Sequence, residues 1–415
     1  MTNHKQHQFY VSLALPALLL FLSGTTNAYA ATVRCVPNKN LYSSCSPTNY
    51  PTIQAAVTAS GPGDIVLVGP GTYNEQVTIT QDDLSVLGAQ AGYDARKGRG
   101  RTKKESIVSA SSGAFIVNGN RVILDGFTVQ DADIAHFAIT VNKNGVKIFN
   151  NIIQKNSLAV CSSCGGGLTT QSGTSNLVVR RNLFRNENDG IFATNTTSAI
   201  VTDNVFTGHV PVDPNGNASA INFNGNSSNI TVSYNQADTN QTYIVVGPQT
   251  TNVEFSHNQG SHFSGTAVFV TGTNDQLVIS NNDLNHGTFR GIKLNQDFGP
   301  GTINHARISY NSIRHMGTEG IFAQNPADTG SSVPTLTNSL ISDNKLRDNG
   351  TDPTGAGIFI DAGNTGNFLT QNNAYNNKGF DCRDNSTGSG TLGTGNAWFE
   401  NIGNTSLPSG LCSKH

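Results

Sequence analysis

The chain has 415 residues, of which only 13% are charged, and its formal net charge is −2 at pH 7. That balance excludes a polycationic nucleic-acid binder, and it lacks the high net charge that accompanies intrinsic disorder. Forty-four glycines and abundant asparagine instead suggest a chain dominated by bends. A chain of this length commonly divides into several domains, but a repeat array escapes that limit because each unit contacts only its neighbours.

Residues 1–30 read as a signal peptide. Lys5 precedes an apolar run over residues 11–22, and Ala28-Tyr29-Ala30 supplies a small-x-small cleavage pattern. The run is short for a bilayer span and no second run follows, so no membrane segment is expected after its removal. The six cysteines suit export and fall in local pairs. Proximity favours Cys35 with Cys45, Cys161 with Cys164, and Cys382 with Cys412, although sequence alone allows other pairings. Cys161-Ser-Ser-Cys164 also has redox or zinc spacing, but no βαβ pattern or second Cys/His pair accompanies it.

Thr52-Ile53-Gln54-Ala55-Ala56-Val57 is the one convincing helix, placed to cap the open end of a first coil. Residues 31–64 are therefore taken as an N-terminal cap. A basic run, Arg96 to Lys104, reads either as a solvated loop or as a contact for an anionic surface. The pattern V-x-I-x-x-N-x-[FIL] then recurs. It appears at Val146–Ile153 and Leu177–Phe184, and returns around Asn204, Asn235, Asn258, Asn282, Asn311, Asn344 and Asn373. The intervals, 22 to 33 residues, are those of solenoids.

Within each unit the alternation is that of a strand, with Ile230 and Val232 facing one way and Thr231 and Ser233 the other. A second short strand follows in most units, as at Gly291-Ile292-Lys293-Leu294 and Gly320-Ile321-Phe322-Ala323. The expected fold is all-β: a right-handed parallel β-helix over residues 65–381, with a disulfide-closed C-terminal cap over 382–415. The marker asparagines should stack into a ladder. Ile148, Val179, Val201, Val232, Phe255, Ile279, Ile308 and Ile341, each three residues before a marker, should stack in the core. A β-sandwich would show tight hairpins without a fixed period, and leucine-rich repeats would show dense leucine.

The opening Thr52–Val57, Gly63-Asp64-Ile65-Val66-Leu67-Val68 and Gly71-Thr72-Tyr73-Asn74-Glu75 resembles the start of secreted β-helix proteins of the pectate-lyase-like superfamily, including pectin methylesterases. With the repeats, the resemblance covers nearly all of the chain beyond the signal peptide and implies the fold. It brings no catalytic residues. The Q-D-T-L and D-F-I-F-G strings of pectin methylesterases are absent, and the D-P-H-D of alginate epimerases is met only by Asp213-Pro214-Asn215-Gly216. Gln81-Asp82-Asp83 and His286-Gly287 match fragments of polygalacturonase motifs without the rest.

Registering the coils on the marker asparagines produces columns. Four residues after the marker stand Lys155, Asn186, Gly208, Thr239, His262, His286, His315, Asp348 and Asn377. Preceding the second strand are Asp189, Arg290, Glu319 and Lys378. Its outward position holds Phe192, Asn222, Phe269, Lys293, Phe322, Phe359 and Asp381. Uronate β-elimination needs a base for the proton beside a carboxylate and a cation to neutralise that carboxylate. His286 or His315 suits the base. Arg290 and Lys293 suit the carboxylate binders, Glu319 orients Arg290, and His262 and Phe322 complete the substrate contacts. The same residues read equally as a cross-coil salt bridge and a stacked polar bend. The outward Phe column either stacks on sugar rings or is covered by long turns. No pair of carboxylates marks a hydrolase.

Two functions follow. One is recognition of an extracellular polysaccharide, with lyase or hydrolase chemistry on an acidic glycan. The other is a non-catalytic surface or matrix protein using the solenoid as an adhesive rod. The protein is expected to be monomeric and secreted, periplasmic or on the cell surface, with no nucleic-acid partner. No cofactor signature is evident, and nothing in the sequence supports calcium.

Overall fold

A computed structural model describes residues 31–36, 50–97, 104–133, 135–156, 165–211 and 217–414. The signal peptide, Cys45, Cys161, Cys164 and residues 98–103 of the basic run lie outside these. Thr32–His415 form one compact unit. Every named strand lies in one of three parallel sheets, with sixteen, twelve and thirteen strands among the described residues, here called sheets A, B and C. Along most of the chain strands join their sheet at every third step, so each coil contributes to A, then B, then C, with an extra short sheet A strand at Ile303–Asn304 and at Leu336–Thr337. This is the right-handed parallel β-helix.

The coil closes because specific residues take left-handed backbone conformations at its bends. The bend from sheet A to sheet B is the tightest. There Asn150, Asp203, Asn281 and Asp343 have φ between 51° and 57°, a region that short polar side chains tolerate. The next residue in each coil is the marker asparagine. Ten of them, Asn151, Asn182, Asn204, Asn235, Asn258, Asn282, Asn311, Asn344, Asn372 and Asn401, form one continuous ladder. Each Oδ1 accepts the preceding coil's backbone N–H at 2.8–3.1 Å. All ten are buried, and the ladder satisfies backbone groups that a bend would otherwise strand away from water.

Register corrects several sequence-based columns at the C-terminal end. The ladder member is Asn372, not Asn373, which lies in a sheet B strand, Asn373–Tyr375. The left-handed position four residues on is consequently Asn376. Asn377 belongs to a second inner ladder, donating to Asp381 Oδ1. In sheet C the partner of Phe359 is Arg383, and the partner of Ala356 is Phe380. Asp381 and Lys378 therefore leave the columns assigned to them. Asn373 beside the true marker Asn372, and Gly379 two residues ahead of Asp381, which faces Gly357, set the apparent register of this coil out of step.

The core lies where the alternation places it. Ile148, Val179, Val201, Val232, Phe255, Ile279, Ile308 and Ile341 are all fully buried in one cluster. Sheet pairing runs past both ends of the 65–381 span. Val33–Val36 pairs with Ile65–Val68, and Ala397–Phe399 and Ser406–Leu407 extend sheets A and C.

The helix spans Ile53–Ala59 and packs Ile53, Ala56 and Val57 inward. Thr52 caps it through the Ala55 N–H, and the Glu75 carboxylate accepts the N–H groups of Ile53 and Gln54 at 2.8 and 2.9 Å. These contacts satisfy donors left free in a first helical turn. At the other end Cys382 is disulfide-bonded to Cys412, and Trp398 Nε1 donates to Asp384 Oδ2 at 2.7 Å. Cys35 is also disulfide-bonded. Among the described residues no helix is long and apolar enough to cross a membrane.

Candidate functional site

Sheet C carries a groove of about 620 Å³. Its floor is the outward column Phe192, Asn222, Val245 and Phe269, paired coil to coil. Because register fixes these side chains one above another at roughly 4.8 Å, Phe192 and Phe269 stand three strands, about 14 Å, apart. Longer connections supply the walls. Phe137, from the connection before Ile139–Val141, stacks on Phe192 with ring centroids 6.1 Å apart. Phe298 lies 5.8 Å from Phe269. Phe289 and Phe298 remain 48% and 60% exposed, more than a folding role requires of such large apolar rings. Asn188, Asn217, Asn222, Asn224 and Gln241 add amides. Asp189 is the single ionisable residue lining the groove among the described residues.

Asp189 sits at the rim of sheet C, where Oδ1 accepts the Ser219 N–H at 2.9 Å and its hydroxyl at 2.6 Å. Oδ2 makes no hydrogen bond among the described residues. Burial raises the Asp189 pKa to about 6, against the opposing pull of the Ser219 hydrogen bonds. Behind it, Glu187 is buried at the inner-ladder position held by asparagine in other coils. It accepts from Asn156 Nδ2 at 2.6 Å. Burial pushes Glu187 well above the carboxylate range, the Asn156 bond opposes this, and the nearby Asp189 adds to it. The next ladder position holds His209, fully enclosed, whose pKa burial lowers to about 4.

The Asp189 shift has a stability consequence. Its folded pKa lies above the unfolded value of 3.8, so the stability linked to its protonation is present at low pH and lost as pH rises through about 6. Asp189→Asn keeps the oxygen that Ser219 needs but carries no charge. Relative to wild type, the variant should gain about 2–3 kcal/mol between about pH 3.5 and pH 8 in urea unfolding. A variant-minus-wild-type difference that is flat with pH would contradict this.

The residues anticipated from sequence fall into two groups. Lys293 and Phe322 lie on sheet C, continuing the groove's column toward the C-terminal end, and Arg290 and Glu319 stand just before those two strands. Arg290 Nε is 2.7 Å from Glu319 Oε2, and its guanidinium lies over Phe322 at 4.5 Å. Lys293 Nζ pairs with Asp297 at 2.5 Å and lies over Phe269 at 5.3 Å. Both cations are thus already neutralised by a carboxylate and shielded by a ring.

The histidines form the second group. His262, His286 and His315 stack at the end of sheet B, with ring centroids 5.5 and 4.7 Å apart. All three occupy left-handed bends, φ 53–55°, where histidine is enriched; that supplies a folding reason for the column. His262 Nδ1 is 2.7 Å from Asp238, and His315 Nδ1 is 3.0 Å from Asn285 Oδ1. The pKa of His286 is lowered, first by desolvation, then by His315, His262 and Arg314. Neither Arg290 nor Lys293 is among its causes. No hydrogen bond, ion pair or ring contact among the described residues joins the histidine column to Arg290 or Lys293.

The sequence reading missed the groove walls Phe137, Phe289 and Phe298, which lie on connections without repeat periodicity. It also passed over Glu187, although an acid five residues after a ladder asparagine, where other coils place Asn156, Asn240 and Asn349, was a readable signal. Among the described residues no group of three His, Cys, Asp or Glu is placed to hold a metal ion.

No family model and no curated protein matches this chain. Among solved structures, the chain is similar to a PL6 alginate lyase in complex with a trisaccharide, at 14% identity and a TM-score of 0.60 over 92% of this chain and 87% of that one. It is also similar to a mannuronic acid specific polysaccharide family 6 lyase from the human gut microbiota. There the identity is 15% and the TM-score 0.54, over 77% of this chain and 76% of that one. At such identities the likeness is one of fold, and the fold it shares is the parallel β-helix.

Proposed function

We propose that this is an exported polysaccharide-binding protein that holds a glycan chain in the sheet C groove, parallel to the solenoid axis. One observation carries the reading: ring faces and amides from four successive coils line a single open groove. Aromatic faces pack against the apolar faces of sugar rings, and amides exchange hydrogen bonds with hydroxyls. The fold similarity to polysaccharide lyases supports a polysaccharide partner. The Cys382–Cys412 disulfide supports an oxidising, extracytoplasmic location.

Cleavage at the groove itself has little support. Among the described residues its lining offers one carboxyl, Asp189, where hydrolysis needs two flanking the bond. Among them it offers no lysine, arginine or histidine for β-elimination. A second reading places lyase chemistry at the histidine column, and the lowered pKa of His286 favours it, since an uncharged imidazole is a competent base.

A panel of pectin, alginate, glycosaminoglycans and xylan separates these readings. Binding without unsaturated products or new reducing ends supports recognition alone. Unsaturated products that fall by roughly 10²–10⁴ in His286→Ala or His315→Ala support the lyase. No retention of any glycan removes the proposal and leaves the adhesive rod.

A further inference from the structure

We infer that the sheet A face carries a second saccharide site, for an acidic glycan, built on Tyr234, His257 and Tyr310 with Arg307 and Glu254. It is separate from the sheet C groove and does not depend on it.

The first observation is a residue choice, at Tyr234 and Tyr310, that folding does not explain. Tyr234, His257 and Tyr310 occupy the left-handed position of the A-to-B bend, with φ of 56°, 56° and 59°. Neighbouring coils place Asn281, Asp203 or Asp343 there. A bulky tyrosine is disfavoured in that conformation, and retained backbone strain points to a use outside folding. Nor is burial the reason, since Tyr234 and Tyr310 are 57% and 52% exposed.

The second observation is the geometry. Tyr234 stacks on His257 with centroids 5.0 Å apart and an interplanar angle of 17°, which makes a flat platform two coils wide. Tyr310 follows three strands beyond Tyr234, about 14 Å at sheet spacing, so the rings line up along the solenoid axis. A shallow groove of about 390 Å³ runs beside them, lined by Glu254, His257, Arg307 and Tyr310.

The third is charge. Arg307 and Glu254 share an outward column of sheet A with Val278 between them, so they do not neutralise each other. Arg307 donates only to Ser309 Oγ, at 3.2 Å, and makes no ion pair among the described residues. By contrast Arg34, Arg121, Arg180, Arg290 and Arg314 each face a carboxylate. An open guanidinium offers the bidentate geometry that a sugar carboxylate fits. Glu254, whose one oxygen accepts from Ser256 Oγ at 2.7 Å, has its other oxygen to accept sugar hydroxyls.

The bend supplies its own test, because asparagine is the residue it prefers. Tyr234→Asn/Tyr310→Asn should melt at or above the wild-type temperature while losing contact with the chain. Affinity gel electrophoresis through polygalacturonate, alginate and a neutral glucan, at equal loading, reads the binding. The double variant should lose at least 10-fold in retardation by the polyuronates. Arg307→Gln, on an exposed strand position, should remove the preference for polyuronates over the glucan. Phe192→Ala/Phe269→Ala, altered only in the sheet C groove, should keep that preference. Wild-type retardation in both sheet A variants, or equal retardation of the wild-type protein by polyuronates and glucan, overturns the inference. Loss in the sheet A variants with no loss in the groove variant upholds it and counts against the sheet C reading instead.

Discussion

Replacing Asn282 with alanine is expected to cost about 3–5 kcal/mol of stability, a large effect for a polar substitution. Its Oδ1 accepts both the backbone N–H and the side-chain amide of Asn258, at 2.9 and 3.1 Å. Its Nδ2 donates to the Phe255 carbonyl and to Asn311 Oδ1, each at 2.9 Å. Alanine would leave the Asn258 N–H and the Phe255 carbonyl unpaired in a site closed to water, and each such group costs about 1–3 kcal/mol. The adjacent residue provides the control. Asn281 lies outside the ladder at a left-handed bend, so Asn281→Ala should cost only about 1 kcal/mol, through backbone conformation. Denaturant midpoints for the two variants decide the matter, and equal shifts would contradict the ladder's role.

The second large effect belongs to Ile279. It is fully buried between Phe255 and Ile308 in the sheet A stack. Truncation to alanine opens a cavity that β-sheet backbones on three sides cannot collapse to fill, and should cost about 2–5 kcal/mol. Because each coil rests only on its neighbours, the loss should appear first as faster amide exchange in the coils of Phe255 and Ile308. Combining Ile279→Ala with Asn282→Ala should give less than the sum, since the two share one coil. An unchanged midpoint in Ile279→Ala would mean that the repeat is misregistered.

How much was legible follows from where periodicity reaches. The ladder asparagines and the buried residue three places before each repeat at regular positions, so Ile148 through Ile341 could be placed without coordinates. Periodicity failed where a false mark stood beside a true one. Asn373 next to Asn372, and Gly379 ahead of Asp381, put Asn377, Lys378 and Asp381 in columns that Asn376, Phe380 and Arg383 occupy. The site was legible only as far as strands define it. Phe192, Asn222 and Phe269 were visible as an outward column, but Phe289 and Phe298 sit on connections that follow no rule of spacing. Arg290 and Glu319 were visible as partners, whereas the Lys293–Asp297 pair depends on how one loop folds back. The histidine column was found, but its separation from Arg290 and Lys293 depends on which sheet each terminates, which a linear register does not reveal.

The sheet C assignment is tested most directly by calorimetric titration of an oligosaccharide from whichever glycan the wild-type protein retains. Phe192→Ala/Phe269→Ala removes two outward rings from the groove floor without touching the core. If the groove holds the chain, the double variant should bind at least about 10-fold more weakly, a loss of about 1.4 kcal/mol or more, while His286→Ala binds as wild type. Wild-type affinity in the double variant, together with loss of binding in His286→Ala, would contradict the assignment and move the site to the histidine bend.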